Sequence, residues 1–136
     1  MKLTQKQSSM TTTVLIYGPP KVGKTELAGR LSEYKNIIWV DMEKGYSTLL
    51  KLPEEWKDHI EIVSLPDTRS YPIAIETCLK LIKGGPVEIC EQHGKVNCPT
   101  CKKDSKVFTK VNLSELDDSW VVVFDSLTQL TNSAIA

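Results

Sequence analysis

Residues 13–31 read TVLIYGPPKVGKTELAGRL, and three kinds of chain follow one another inside them. Thr13–Tyr17 is a β-branched and apolar run, which predicts a strand. Residues 18–25, GPPKVGKT, have the pattern G-x-x-x-x-G-K-T. After them Leu27, Ala28 and Leu31 recur at helical spacing, giving a helix to about Tyr34 an apolar face to lay on a sheet. Gly18 and Gly23 permit backbone angles and close approach that a side chain would block. Pro19 and Pro20 carry no N–H, so donors facing an anion must come from Lys21, Val22, Gly23, Lys24 and Thr25. Lys24 is spaced to reach the β- and γ-phosphates of a nucleotide, and the Thr25 hydroxyl to join a Mg²⁺ shell, with Glu26 opening the helix behind them. A plain Gly/Pro turn would need neither the lysine nor the hydroxyl.

Outward from this stretch, strand and helix patterns alternate. NIIWV (36–40), HIEIVSL (59–65) and WVVVFD (120–125) predict buried strands, and YSTLLKL (46–52) a short helix stopped by Pro53. YPIAIETCLKLIK (71–83) predicts a helix with Ile75, Cys78, Leu79 and Ile82 on its apolar face, ended by Gly84 and Gly85. Near-continuous apolar strands between helices imply an α/β fold with a parallel sheet. Residues 84–118 break the alternation and read as an insertion.

Two further acidic positions follow from the strands. Asp125 ends WVVVFD at the carboxyl edge of the sheet, where it can hold Mg²⁺ opposite Thr25; capping the next helix is the competing role, which Ser126 could fill equally well. Asp41 and Glu43 emerge after the 36–40 strand at the same edge. A carboxylate there can orient and deprotonate an attacking water, the alternative being ordinary solvated loop charge, more so for Asp41 than for Glu43.

The insertion contains CEQHGKVNCPTC (90–101). Cys90 and His93 form C-x₂-H, Cys98 and Cys101 form C-x₂-C, and four residues separate the pairs. Each pair suits a tight knuckle aiming two ligands at one ion, and three thiolates with one imidazole imply a closed structural Zn²⁺ site. Cys78 reads as core. Lys95, Lys102, Lys103, Lys106 and Lys110 surround the cluster; they suit phosphate contacts with single-stranded nucleic acid as well as they suit a solvated loop.

Composition sets the outer limits. With 17 basic and 17 acidic residues in 136, the formal net charge is zero, so nucleic acid or an anionic membrane must be met by a local patch. The N-terminal MKLTQKQSSMTTT has no apolar stretch, which predicts neither signal peptide nor anchor but a flexible tail over residues 1–12. Clustered cysteines in such a chain point to a metal in a reducing compartment rather than to disulfides.

GPPKVGKT (18–25), VDMEKG (40–45) and VVVFDSLTQL (121–130), in this order, resemble the RecA-type P-loop ATPases. More narrowly, they resemble the small phage-encoded, RecA-like nucleotide-binding proteins of recombination and single-strand annealing. The likeness covers residues 13–50 and 119–131. It implies ATP and Mg²⁺ as ligands, Glu43 with Lys24 as catalytic residues, Asp125 on the metal, and Ser126 with Asp41 in support. It also implies single-stranded DNA and a second copy or a recombination protein as partners, in the cytoplasm of a bacterial host. RecA-like cores continue with further strands, one of them lying between the phosphate-loop strand and the Asp125 strand. The expectation is therefore an incomplete core, 13–83 and 119–136, carrying the 84–118 insertion. A nucleotide-gated module that binds without hydrolysing is the alternative. A nucleoside monophosphate kinase with a zinc lid is a distant third, because such chemistry needs several arginines and this chain has Arg30 and Arg69.

Overall fold

The computed structural model describes residues 12–66 and 73–135. The expected 1–12 tail, apart from residue 12, and Arg69 lie outside the described residues. Strand β1 (Asn36–Asp41) is the centre of a parallel sheet, flanked by β2 (Ile60–Ser64) on one side and β5 (Trp120–Asp125) on the other. Register runs from Asn36 opposite Trp120 to Asp41 opposite Asp125, and from Ile37 opposite Ile60 to Asp41 opposite Ser64. All three strands thus end together, and their last residues form one edge.

Strand periodicity divides the core in two. Ile38 and Val40 of β1, with Val63, Val122 and Phe124, pack against α3 (Ile73–Lys83) through Ala74, Cys78 and Leu81. The alternate residues Ile37 and Trp39, with Ile62 and Val123, pack against Ala28 of α1 (Lys24–Gly29) and against Leu49 and Leu52. Because both faces are covered, Ile37 through Asp41 are all buried. Gly29 is needed here for space: a Cβ on it would lie 2.5 Å from Leu49 Cδ2. After α1 the chain tightens into a 3₁₀ turn, Arg30–Glu33; residues Gly45–Lys51 are likewise 3₁₀, and α2 (Glu54–Lys57) completes the link to β2.

The 84–118 segment is not a separate body. It opens with β3 (Val87–Cys90), passes through the short helix α4 (Pro99–Lys103), and returns as β4 (Phe108–Val111), antiparallel to β3. Val87, Ile89 and Val111 enter the same core cluster as Ile38 and Val40. Helix α5 (Leu127–Ile135) follows β5 and lies against α3, with Ser133 Oγ accepting from the Ile75 N–H at 3.3 Å.

Four expectations need correction. Of Leu27, Ala28 and Leu31, expected on the buried face of the first helix, only Ala28 is buried, while Leu27 and Leu31 are exposed. Residues 13–17 do not form a strand: Val14 and Leu15 are 73% and 67% exposed and pair with nothing in the sheet. A β-prone run becomes a strand only beside a ladder with free partners, and among the described residues no strand links this run to β5. Helix α3 is rotated from the expected face. Ile73, Ala74, Thr77, Cys78 and Leu81 are buried, whereas Leu79 and Ile82 are exposed, because the helix is clamped between the sheet and α5 rather than laid on one surface. Finally, β5 is half-buried along its whole length rather than enclosed on both faces.

Candidate nucleotide site and metal centre

The phosphate loop turns through two left-handed residues, Lys21 (φ 62°) and Gly23 (φ 95°), before α1 begins at Lys24. A glycine at 23 makes the second of these angles free of strain. The Lys24 ammonium folds back over the loop and donates to the carbonyls of Gly18 and Pro19, each at 2.7 Å. Residues 18–23 are exposed, Lys24 and Thr25 half-buried, and Glu26 is exposed and ion-paired to Arg30 at 3.1 Å.

At the shared edge of the sheet the expected residues converge. The Asp125 carboxyl is raised above the ordinary carboxylate range. Burial is the main cause and the charges of Glu43 and Asp41 add to it, while Thr25 and the Lys24 ammonium pull the other way. Ser126 Oγ donates to Glu43 Oε1, so the exposed Glu43 is held directly beside the end of β5. The 41–45 segment is drawn in by its backbone: Met42 N–H donates to Asp125 O at 2.8 Å, and a Cβ on Gly45 would sit 3.5 Å from Asp125 Oδ2.

Asp41 does not fit the alternative of solvated loop charge. It is 1% exposed, and its Oδ1 accepts from the N–H groups of Glu43 (3.3 Å) and Gly45 (3.2 Å). The reason is register: as the last residue of the central strand, it is covered on both sides by β2 and β5.

The second centre lies at the tip of the β3–β4 hairpin. The ligand atoms of Cys90, His93, Cys98 and Cys101 all lie within 4.8 Å of one another. His93 Nδ1 is 3.2, 3.7 and 3.8 Å from the sulfurs of Cys101, Cys98 and Cys90. Bond lengths of about 2.0 Å to nitrogen and 2.3 Å to sulfur, at tetrahedral angles, give an N···S edge of roughly 3.6 Å, so the four donors fit one tetrahedral metal ion. The turns that aim them are visible in the backbone: His93 N–H donates to Cys90 Sγ (3.3 Å), Gly94 N–H to Cys90 O (2.9 Å), and Pro99 opens α4 directly after Cys98. Burial, with the neighbouring thiols, pushes Cys101 up to about 12, whereas a backbone hydrogen bond from Cys101 leads the effects holding Cys98 near 7. Thiols placed this close cannot all ionise unless a cation joins them.

Composition gave no sign of how this centre is anchored. Thr77 of α3, buried, donates to Gly94 O at 2.7 Å, and a Cβ on Gly94 would lie 3.1 Å from Leu65 Cα. Thr77 sits one helical turn from Ala74 on the buried face, and a polar residue there was the available signal. Of the surrounding lysines, Lys102, Lys103, Lys106 and Lys110 are exposed and Lys95 is half-buried; Lys102 also donates to Asn97 Oδ1, and Lys110 pairs with Glu88 at 3.8 Å. Phe108 packs on the cysteines instead of facing solvent. Cys78 is core as expected, its thiol raised to about 11 by burial.

An α/β domain whose phosphate loop, strand-end aspartate and nearby glutamate meet at one sheet edge is a P-loop nucleotide-binding domain. The profile of the family described as an AAA domain matches residues 10–136, and the chain belongs to that family. No curated protein and no solved structure matches it. Among the described residues no helix is long and apolar enough to cross a membrane.

Proposed function

We propose that the chain binds ATP with Mg²⁺ at Gly18–Thr25 and hydrolyses it, with Glu43 as general base. The observation that carries this reading is the meeting of Glu43 and Ser126 beside the Thr25–Asp125 pair. Backbone N–H groups of Lys21 to Thr25 cradle the phosphates, and Lys24 exchanges its loop carbonyls for phosphate oxygens. Thr25 and Asp125 fit Mg²⁺, which when bound neutralises charge on the transferring phosphoryl group. Glu43 takes the proton from the attacking water, and Ser126 keeps its carboxylate turned toward the site. The Cys/His centre holds Zn²⁺ as a structural ion, since all four positions are filled by protein.

The biological setting we infer is DNA recombination or single-strand annealing in a bacterial cytoplasm. It is supported by the order of the three motifs and by the exposed Lys102, Lys103 and Lys106. A second reading, a nucleotide-gated module without hydrolysis, draws on the unpaired 13–17 run, which leaves the loop supported from α1 alone. A steady-state ATPase assay with and without single-stranded DNA separates the two. Glu43→Gln is expected to retain ATP binding and lose roughly two to four orders of magnitude in turnover. Absence of wild-type turnover under both conditions would favour the gated module.

A further inference from the structure

Among the described residues two buried side-chain atoms have no hydrogen-bond partner, Asp41 Oδ2 and Trp39 Nε1. They belong to the same face of β1, two residues apart, and Asp41 stands at the carboxyl edge directly opposite Asp125 in the ladder. Leaving a carboxylate oxygen dry and unpaired is costly, and Asp41 Oδ1 already takes both N–H groups that its turn offers. Glu43 is held at the same edge by the Ser126 hydroxyl, and a Cβ on Gly45, in the turn that Asp41 Oδ1 fixes, would lie 3.5 Å from Asp125 Oδ2. Three acids, Asp41, Glu43 and Asp125, therefore crowd one edge against Lys24, and the most deeply buried of them has a spare acceptor.

We propose that Asp41 Oδ2 accepts a hydrogen bond from the hydration shell of the nucleotide's Mg²⁺, making Asp41 a third holder of the cation beside Thr25 and Asp125. The inference rests on the Mg²⁺–nucleotide reading above. One carboxylate then has two tasks: Oδ1 fixes the turn that carries Glu43, and Oδ2 completes the cation's surroundings. A cation also relieves the repulsion among the three acids.

Asp41→Asn separates the tasks. The asparagine oxygen still accepts from Glu43 and Gly45, while its NH₂ replaces the spare acceptor with a donor. Asp41→Ser, whose hydroxyl can make the same turn bonds, serves as an independent variant. Binding of a fluorescent ADP analogue is measured in EDTA and across a Mg²⁺ titration, with Mn²⁺ binding followed in parallel by electron paramagnetic resonance. Both variants should bind the metal-free analogue as the wild type does, yet need about tenfold more Mg²⁺ or Mn²⁺ to reach the tight state. An unchanged metal requirement would overturn the proposal. Loss of metal-free binding in both variants would overturn it as well, because Asp41 would then shape the loop rather than hold the cation. If the wild type itself shows no Mg²⁺-dependent nucleotide binding, the underlying site assignment falls instead.

Discussion

Residues 18–23 and residues 90–101 are both short, both punctuated by Gly and Pro, and both built to aim several groups at one ligand, yet the fold treats them oppositely. Every residue from Gly18 to Gly23 is exposed, whereas Cys90, Cys98 and Cys101 are 0%, 2% and 1% exposed. The difference matches what each is proposed to hold. A nucleotide has to enter and leave, so its donors stay on an open turn with the cationic Lys24 parked on the loop's own carbonyls. A structural metal stays, so its ligands can be closed in, backed by Phe108 and pinned to the core through Thr77 and Leu65.

The largest effect on the open side should come from Lys24→Ala. On the proposed site, removing the Lys24 ammonium is expected to weaken ATP binding on the order of 100-fold or more, read by calorimetric titration. On the closed side, Cys101→Ser should abolish stoichiometric zinc in elemental analysis. A structural zinc contributes on the order of 10 kcal/mol in small zinc modules, so its loss should loosen residues 91–107. The β3–β4 hairpin itself should stay folded, since Val87, Ile89 and Val111 belong to the main core. ATP affinity should change little.

A smaller effect sharpens the contrast on the open side. The Asp125 carboxyl is raised in the folded chain, so the fold favours its protonated form. The stability it contributes is present at low pH and lost as pH rises through the folded value. At pH 7 the charge therefore opposes folding, and Asp125→Asn should raise the thermal midpoint by about a degree or two while destroying Mg²⁺ dependence. The gain should vanish below the carboxylate range. Smallest of all, charge reversal at Lys102 and Lys103 together should weaken single-strand binding and flatten its salt slope by about two units at most, read by fluorescence anisotropy. Unchanged anisotropy would make these lysines a solvated rim.

Much of this is legible in the sequence, and the misreadings have a common physical cause. GPPKVGKT and CEQHGKVNCPTC carry their meaning in spacing alone, because each ligand set is assembled from neighbours in the chain. The central strand at 36–41 and β5 at 120–125 were equally plain, their apolar runs being long enough to outweigh other choices. The misreadings concern residues whose state depends on distant partners. Thr13–Tyr17 has every local mark of a strand but pairs with nothing among the described residues. Leu79 and Ile82 share a helical stripe with Cys78, yet the position of α5 decides which stripe is buried. Asp41 looked like loop charge because nothing local reveals that two strands end beside it. The apolar content of residues 86–110 is too small for a core of its own, and the β3–β4 hairpin adds Val87, Ile89 and Val111 to the main one.

Hydrogen exchange on the wild-type protein, followed by mass spectrometry with and without Mg²⁺–ATP and with and without chelator, tests the division between the two regions most directly. Nucleotide is expected to protect residues 18–26, 41–45 and 125–126 and to leave 91–107 unchanged. Chelator is expected to expose 91–107 and to leave the loop unchanged. Failure of Mg²⁺–ATP to protect 18–26, or equal protection of 91–107 in both metal states, would contradict the assignment of one exchangeable and one permanent ligand to these two sites.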